Sequence, residues 1–210
     1  FSYGYYFWID DQGRAVVVIY NGDEGFTCAG TSNLVNGEWA NVSAVYDGSF
    51  LSIYVNGTLE NTVNTNGASM TYLNNNSDIS IGSHPSMSYH IHNFDGLIDD
   101  VSVWNIALDQ NIIQNYSICP PDGTESGLVG YWNFEEGPNE GQVLDLSPNG
   151  NNGNINGASY SEDTPEQSCQ VATCSDADEI TITFSPEGCT DELACNYDSN
   201  AICDDESCEY

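Results

Sequence analysis

The sequence predicts an all-β protein of short antiparallel strands, followed by a small cysteine-rich module. Three observations predict it. Asn-Gly occurs at Asn21, Asn36, Asn56, Asn66, Asn149, Asn152 and Asn156, and Asp-Gly at Asp47, Asp95 and Asp122; both dipeptides tolerate the positive φ of tight hairpin turns. Between the turns, apolar residues come in short alternating or β-branched runs that leave no room for a long helix. The stretch "GCTDELACNYDSNAICDDESCEY", residues 188–210, packs four cysteines and seven carboxylates into 23 residues.

In chain order, "YGYYFWI" reads as a first strand, "DDQGR" as its turn and "AVVVIY" as the returning strand. In "WANVSAVYDGSFLSIYVNGTLENTV", Leu51, Ile53 and Val55 alternate with Ser52, Tyr54 and Asn56, so one face is buried and the other is not. "ALDQNIIQNYS" is the one short helix, with Asp109 as its cap and Ile112, Ile113 and Tyr116 on one face. After Cys174, "SDADEITITFS" alternates Ile180, Ile182 and Phe184 as one more strand, linking the body to the tail.

Composition narrows the function. There are 32 acidic residues against one basic residue, Arg14, and the formal charge is −31. Such self-repulsion opposes a compact fold unless cations gather among the carboxylates, which implies calcium or high ionic strength. Nucleic acid is excluded as a partner, because phosphate affinity needs clustered Lys and Arg. Anionic membranes are excluded on the same ground, and no apolar run approaches the roughly 18 residues of a membrane span. With 40% hydrophobic residues, 13 Tyr and 4 Trp, the chain has enough for a core. Eight cysteines suit an oxidising compartment. The expectation is an extracellular or cell-surface chain whose export signal lies outside this sequence; the alternative is a cytosolic zinc protein.

"GEWANVSAVYDGSFLSIYVNGTL", followed some forty residues later by "FDGLIDDVSVWNIALDQNII", resembles the laminin G-like, concanavalin A-like jelly roll over roughly residues 1–118. The resemblance implies an antiparallel jelly-roll sandwich, two sheets face to face with Trp39, Trp104 and the alternating aliphatics between them. The family's first strands are missing before Phe1. Residues 119–168, with "GLVGYWNFEEGPNEGQVLDLSPNGNNGNINGASY", resemble the opening strand and loop of such a domain, here placed after one. Either they close this domain in a permuted arrangement or they begin the next repeat of an array or polymer. An open sheet edge filled by a neighbour's strand would build a filament.

Residues 169–187 form a strand or linker, and 188–210 are similar to the "G-C-T-D-x-x-A-C-N-Y" modules of large secreted proteins of Bacteroidetes-type bacteria. Glu206 stands where that pattern has Gly, and Cys203 is an added thiol. So small a module needs disulfides, metal or a neighbouring surface to fold. Asp198, Asn200, Asp204, Asp205 and Glu206 offer hard oxygen ligands suited to structural calcium; the other reading is a solvated acidic loop. By resemblance to secreted arrays, Cys119 and Cys169 pair around the "GLVGYWNF" segment. Cys28 and Cys174 remain as a further possible pair, beside Cys189, Cys195, Cys203 and Cys208 of the tail, and sequence alone does not choose among the connectivities.

Two functions stand against each other. One is a non-enzymatic adhesion or structural protein of the surface, calcium-stabilised and able to self-associate into a filament. The other is a monomeric glycan-binding module of a larger secreted protein or carbohydrate-active enzyme. The resemblance makes Asp99 and Asp100 candidate calcium ligands, although such a pair also serves the fold. Tyr3, Tyr5 and Tyr89 are aromatics that stack on sugars if they lie at the surface. Catalysis is not expected: laminarinase-type jelly rolls present two carboxylates as E-x-D-x-x-E or E-x-D-x-x-x-E, and neither string occurs. The histidines His84, His90 and His92 lack an evident third zinc ligand. The sequons at Asn41, Asn56, Asn75 and Asn115 carry little weight in so Asn-rich a chain.

Overall fold

The computed structural model describes residues 4–22, 24–35, 37–71, 79–83, 93–137 and 141–169, with the backbone of 187–188 and 203–204. The chain divides into two compact units, Phe1–Cys169 and Gln170–Tyr210. In the second, Glu187–Gly188 (β11) pairs in parallel with Cys203–Asp204 (β12).

Two three-stranded antiparallel sheets make the body of the first unit. One joins β1 (Tyr5–Ile9), β2 (Ala15–Tyr20) and β3 (Gly25–Ala29); the other joins β4 (Val42–Tyr46), β5 (Phe50–Val55) and β6 (Thr58–Asn64). They pack face to face through β2, β3 and β5. The core is Ala15, Val17, Ile19 and Cys28 of the first sheet against Leu51 and Ile53 of the second. Strand alternation sets this selection: Leu51 and Ile53 point inward. Val55 of the same face is buried too, and so is Tyr54 of the opposite one, so burial on β5 extends beyond the single face that the sequence predicts.

The β2–β3, β4–β5 and β5–β6 turns fall on Asn21-Gly22, Asp47-Gly48 and Asn56-Gly57, and the β1–β2 turn on "DDQGR". Asn56 and Gly57 both take positive φ, 48° and 72°, between β5 and β6. Asp47 caps the β4–β5 turn by accepting from the backbone N–H groups of Ser49 and Phe50. The β5–β6 register passes from Ile53 opposite Asn61 to Tyr54 opposite Leu59, leaving Glu60 as the extra residue of a bulge. The Glu60 carboxylate accepts from the Thr31 and Ser32 amides and the Ser32 hydroxyl, and Asn61 Nδ2 donates to the Ala29 carbonyl. One bulge thus ties the edge of the second sheet to the chain leaving β3.

A third pair, β7 (Val101–Trp104) with β8 (Leu128–Trp132), follows, and α1 (Gln110–Tyr116) lies between them in sequence. β8 belongs to the residues 119–168 that resemble a domain opening, and it pairs here within the first unit. Asp109 caps α1 by accepting from the Asn111 and Ile112 amides. Ile113 is buried whereas Ile112 is over a third exposed, because neighbours 100° apart on a helix do not share its packed face. Beyond β8, the short pair β9 (Gln142–Val143) and β10 (Gly153–Asn154) frames a loop organised by Asp145. Its carboxylate accepts from the amides of Tyr131, Ser147 and Asn151 and from the Ser147 hydroxyl.

Trp39 and Trp104 do not sit between the sheets. Trp104 stacks on Tyr116 at 5.3 Å and donates its indole N–H to Ser102, while Trp39 donates to Asp163. Both are half-buried. Trp104 lies on the separate β7–β8 pair, and Trp39 lies in the loop before β4, so neither reaches the inter-sheet space.

Candidate functional site

β1 carries four aromatics in five residues, and its two faces do different work. Tyr5, Phe7 and Ile9 stand opposite Ile19, Val17 and Ala15, the core row of β2. Tyr6 and Trp8 stand opposite Val18 and Val16 on the outward face. That face continues onto Tyr20, whose ring meets Tyr6 edge-on at 5.9 Å. Tyr20 is opposite Gly25, where a Cβ would lie 2.7 Å from the ring; glycine there lets the tyrosine lie across β3. The outward positions of β3 are therefore small: Gly25, Thr27 and Ala29. On the outward face Trp8 remains 41% exposed, while Val16 and Val18 of β2 are buried. An aromatic ridge thus borders a strip of small residues.

The polar end of this face is the β1–β2 turn. The Asp10 amide donates to the Arg14 carbonyl, extending the ladder by one pair beyond Ile9 and Ala15. By alternation Asp10 and Arg14 continue the outward row of Trp8 and Val16. Arg14 Nε and one terminal guanidinium nitrogen donate to Asp10 Oδ2 at 3.0 and 2.7 Å, and the amides of Gln12 and Arg14 donate to Oδ1. The guanidinium bonds, then the Arg14 amide, hold the Asp10 carboxyl below the usual carboxylate range. The only basic side chain of the protein is thus fixed at the end of its exposed aromatic ridge.

The candidate residues from the sequence fall elsewhere. Asp99 and Asp100 precede β7. Asp100 takes φ 49°, accepts from the Tyr131 hydroxyl at Oδ1 and from Gln167 Nε2 at Oδ2, and its amide donates to Asp99 Oδ1. Each oxygen of Asp100 thus accepts one protein donor. Among the described residues no group of three His, Cys, Asp or Glu side chains is arranged to hold a metal ion. Burial first, then the Asp100 charge, raise the Asp99 carboxyl to about 6, with Glu135 adding to the effect. Asp198, Asn200, Asp205, Glu206, Cys174, Cys189, Cys195 and Cys208 lie outside the described residues, as do Tyr3, Tyr89, His84, His90 and His92. Only the backbone of Cys203 and Asp204 is described.

Cys119 and Cys169 form a disulfide. Cys28 is a buried free thiol and not a disulfide partner. Its strand position turns it into the core beside Val17, and burial raises its thiol pKa. Two shallow clefts flank Tyr160, one lined by Ile155 and Ser159, the other by Phe134, Glu135 and Glu162.

Sequence reasoning missed Trp8 and the Asp10–Arg14 pair. The signal was present in "YYFWIDDQGRAVV": two faces of one hairpin, with the lone cation two residues before an outward valine.

Comparison with known proteins places this architecture in a class. Residues 2–114 match the laminin G-like family model described as the concanavalin A-like lectin/glucanases superfamily, and the chain belongs to that family. A candidate carbohydrate-binding protein from Bacteroides ovatus is similar in structure, with a TM-score of 0.61 and 23% identity over 78% of this chain. An S-layer domain-containing protein from Clostridium thermocellum matches over 55% of this chain at 22% identity, with a TM-score of 0.36. This chain spans 48% of the first of these proteins and 64% of the second. No curated protein matches the chain. Among the described residues, no helix is long and apolar enough to cross a membrane.

Proposed function

We propose that the chain is a glycan-binding module without catalytic activity, acting outside the cell or at its surface, and that its ligand lies on the outward face of β1–β3. The observation that carries this reading is the joining of a half-exposed aromatic row, Tyr6, Trp8 and Tyr20, to a fixed polar pair, Asp10 and Arg14. Sugar rings present C–H faces that stack on aromatic planes and hydroxyls that need convergent hydrogen-bonding groups beside them. The small residues Thr27 and Ala29 leave a chain of sugars room beside the ridge. The carbohydrate-binding description of the Bacteroides ovatus protein supports the ligand class. On this face the carboxylate, Asp10, is held ionised by Arg14, which suits anchoring and not proton donation.

Adhesion through a surface glycan is the use we infer for such a module. The reading takes the binding module over the filament subunit because its observation is a face and not an open edge. The cysteines fit an oxidising exterior. Calcium is assigned to the acidic tail by its spacing of oxygen ligands.

The test is calorimetric titration of the intact chain with a panel of soluble polysaccharides. Trp8→Ala is expected to weaken the bound member roughly tenfold, the worth of about 1.4 kcal/mol of ring stacking, with an unchanged melting midpoint. Equal affinity in the variant would remove the face from the mechanism.

A further inference from the structure

We propose that the same face selects uncharged glycan chains and rejects sulfated or uronate-bearing ones; this rests on the binding-module reading above. The argument begins with the inventory of hydrogen-bonding groups at the polar end. Asp10 has all its acceptor capacity engaged, Oδ1 by the Gln12 and Arg14 amides and Oδ2 by Arg14 Nε and a terminal nitrogen. The guanidinium retains N–H donors that no described residue accepts, and its side chain is 34% exposed. What the site offers is therefore donors. The matching ligand presents acceptors: hydroxyl, ring-ether or acetamido carbonyl oxygens.

An anion is also an acceptor, and charge decides between the two. A sulfate or uronate approaching those donors meets the ionised Asp10 carboxylate on the same guanidinium, which has already spent its positive charge. No second cation is available to replace it, because Arg14 is the only Lys or Arg in 210 residues. Behind the face stands a molecule of formal charge −31, whose field opposes any anionic chain within the Debye length of about 8 Å at physiological salt. A neutral chain meets neither penalty and keeps both the ring stacking and the donated hydrogen bonds. Rejection here is built as repulsion, not as poorer fit. The row from Tyr6 to Asp10 runs about 13 Å along β1 at strand spacing, long enough for a run of sugars, so each substituted unit of an anionic polymer would incur the repulsion again.

The test compares one neutral β-glucan with its sulfated and its carboxymethylated derivative, titrated into the intact chain at low and at high salt. The expected result is that the neutral polymer binds at least about tenfold more tightly than either derivative at low salt and that the gap narrows as salt rises. Asp10→Asn frees the guanidinium charge and is expected to narrow the gap at fixed salt; Arg14→Gln removes the donors and is expected to weaken the neutral polymer. Far-UV circular dichroism of both variants checks that the hairpin is kept. Derivatives that bind as tightly as the neutral polymer, or more tightly as salt falls, overturn the selectivity. Trp8→Ala separates the two levels of failure. If it abolishes binding while the derivatives bind equally, the face stands and only the selectivity falls. If neither the neutral polymer nor its derivatives bind, or Trp8→Ala changes nothing, the module reading falls and this inference with it.

Discussion

Asp99 sits where burial, the Asp100 carboxylate and Glu135 all oppose its ionisation, and its carboxyl is raised from 3.8 to about 6. The sign follows from linkage. Between these values the folded chain keeps a proton that the unfolded chain releases, so stability falls as pH rises through the window and the penalty is complete above it. Asp99→Asn removes the titration while keeping an acceptor for the Asp100 amide. It is expected to leave stability unchanged below about pH 4 and to raise it above pH 6 by about 1 kcal/mol, after allowing for the water that still reaches the group. Thermal melts of both chains across pH 4 to 7 check this, and parallel curves at every pH would contradict it. The opposite case is Asp145, whose carboxyl is held low: burial pulls it upward, but the Tyr131, Asn151 and Ser147 amides and the Ser147 hydroxyl prevail.

At the scale of elements, one tight joint is where the β5–β6 turn meets α1. A Cβ on Gly57 would lie 2.7 Å from Gln114 Cα and 2.9 Å from Ser117 Oγ, and Gly57 also holds φ 72°. Gly57→Ala is expected to destabilise by about 2–4 kcal/mol, combining left-handed strain with a displaced helix backbone, read as a lowered urea midpoint. The turn itself was legible in the sequence, since Asn56-Gly57 supplies the two positive-φ residues a tight hairpin needs. Leu51, Ile53 and the Asp109 cap were legible for the same kind of reason, because period and capping are local. What lay beyond reach was long-range. Nothing near Glu60 announces that a bulge will aim it at Thr31 and Ser32, and nothing near Trp104 says that Tyr116 will cover it on a strand pair apart from the main sandwich. The proposed face was hidden likewise: an aromatic run shows which residues alternate, but only the pairing with β2 shows which row turns outward.

For the whole molecule the dominant fact is 32 carboxylates and one guanidinium. Unfolding lets these charges spread apart, so self-repulsion subtracts from stability, and screening restores it. Sodium chloride is therefore expected to raise the melting midpoint, by about 2–4 °C for each 1 kcal/mol of repulsion relieved in a chain of this size. Calcium separates general screening from specific ligation. If Asp198, Asn200, Asp204, Asp205 and Glu206 bind it, calcium chloride will stabilise beyond sodium chloride at matched ionic strength, a chelator will reverse the increment, and the pair Asp204→Asn and Asp205→Asn will abolish it while leaving the sodium response intact. Identical midpoints in the two salts would mean that the tail holds only a diffuse cation atmosphere. Glycan affinity measured in the same samples is expected to be independent of calcium, because the proposed face draws its polar contacts from Arg14 and Asp10, whose acceptor capacity is filled by protein donors.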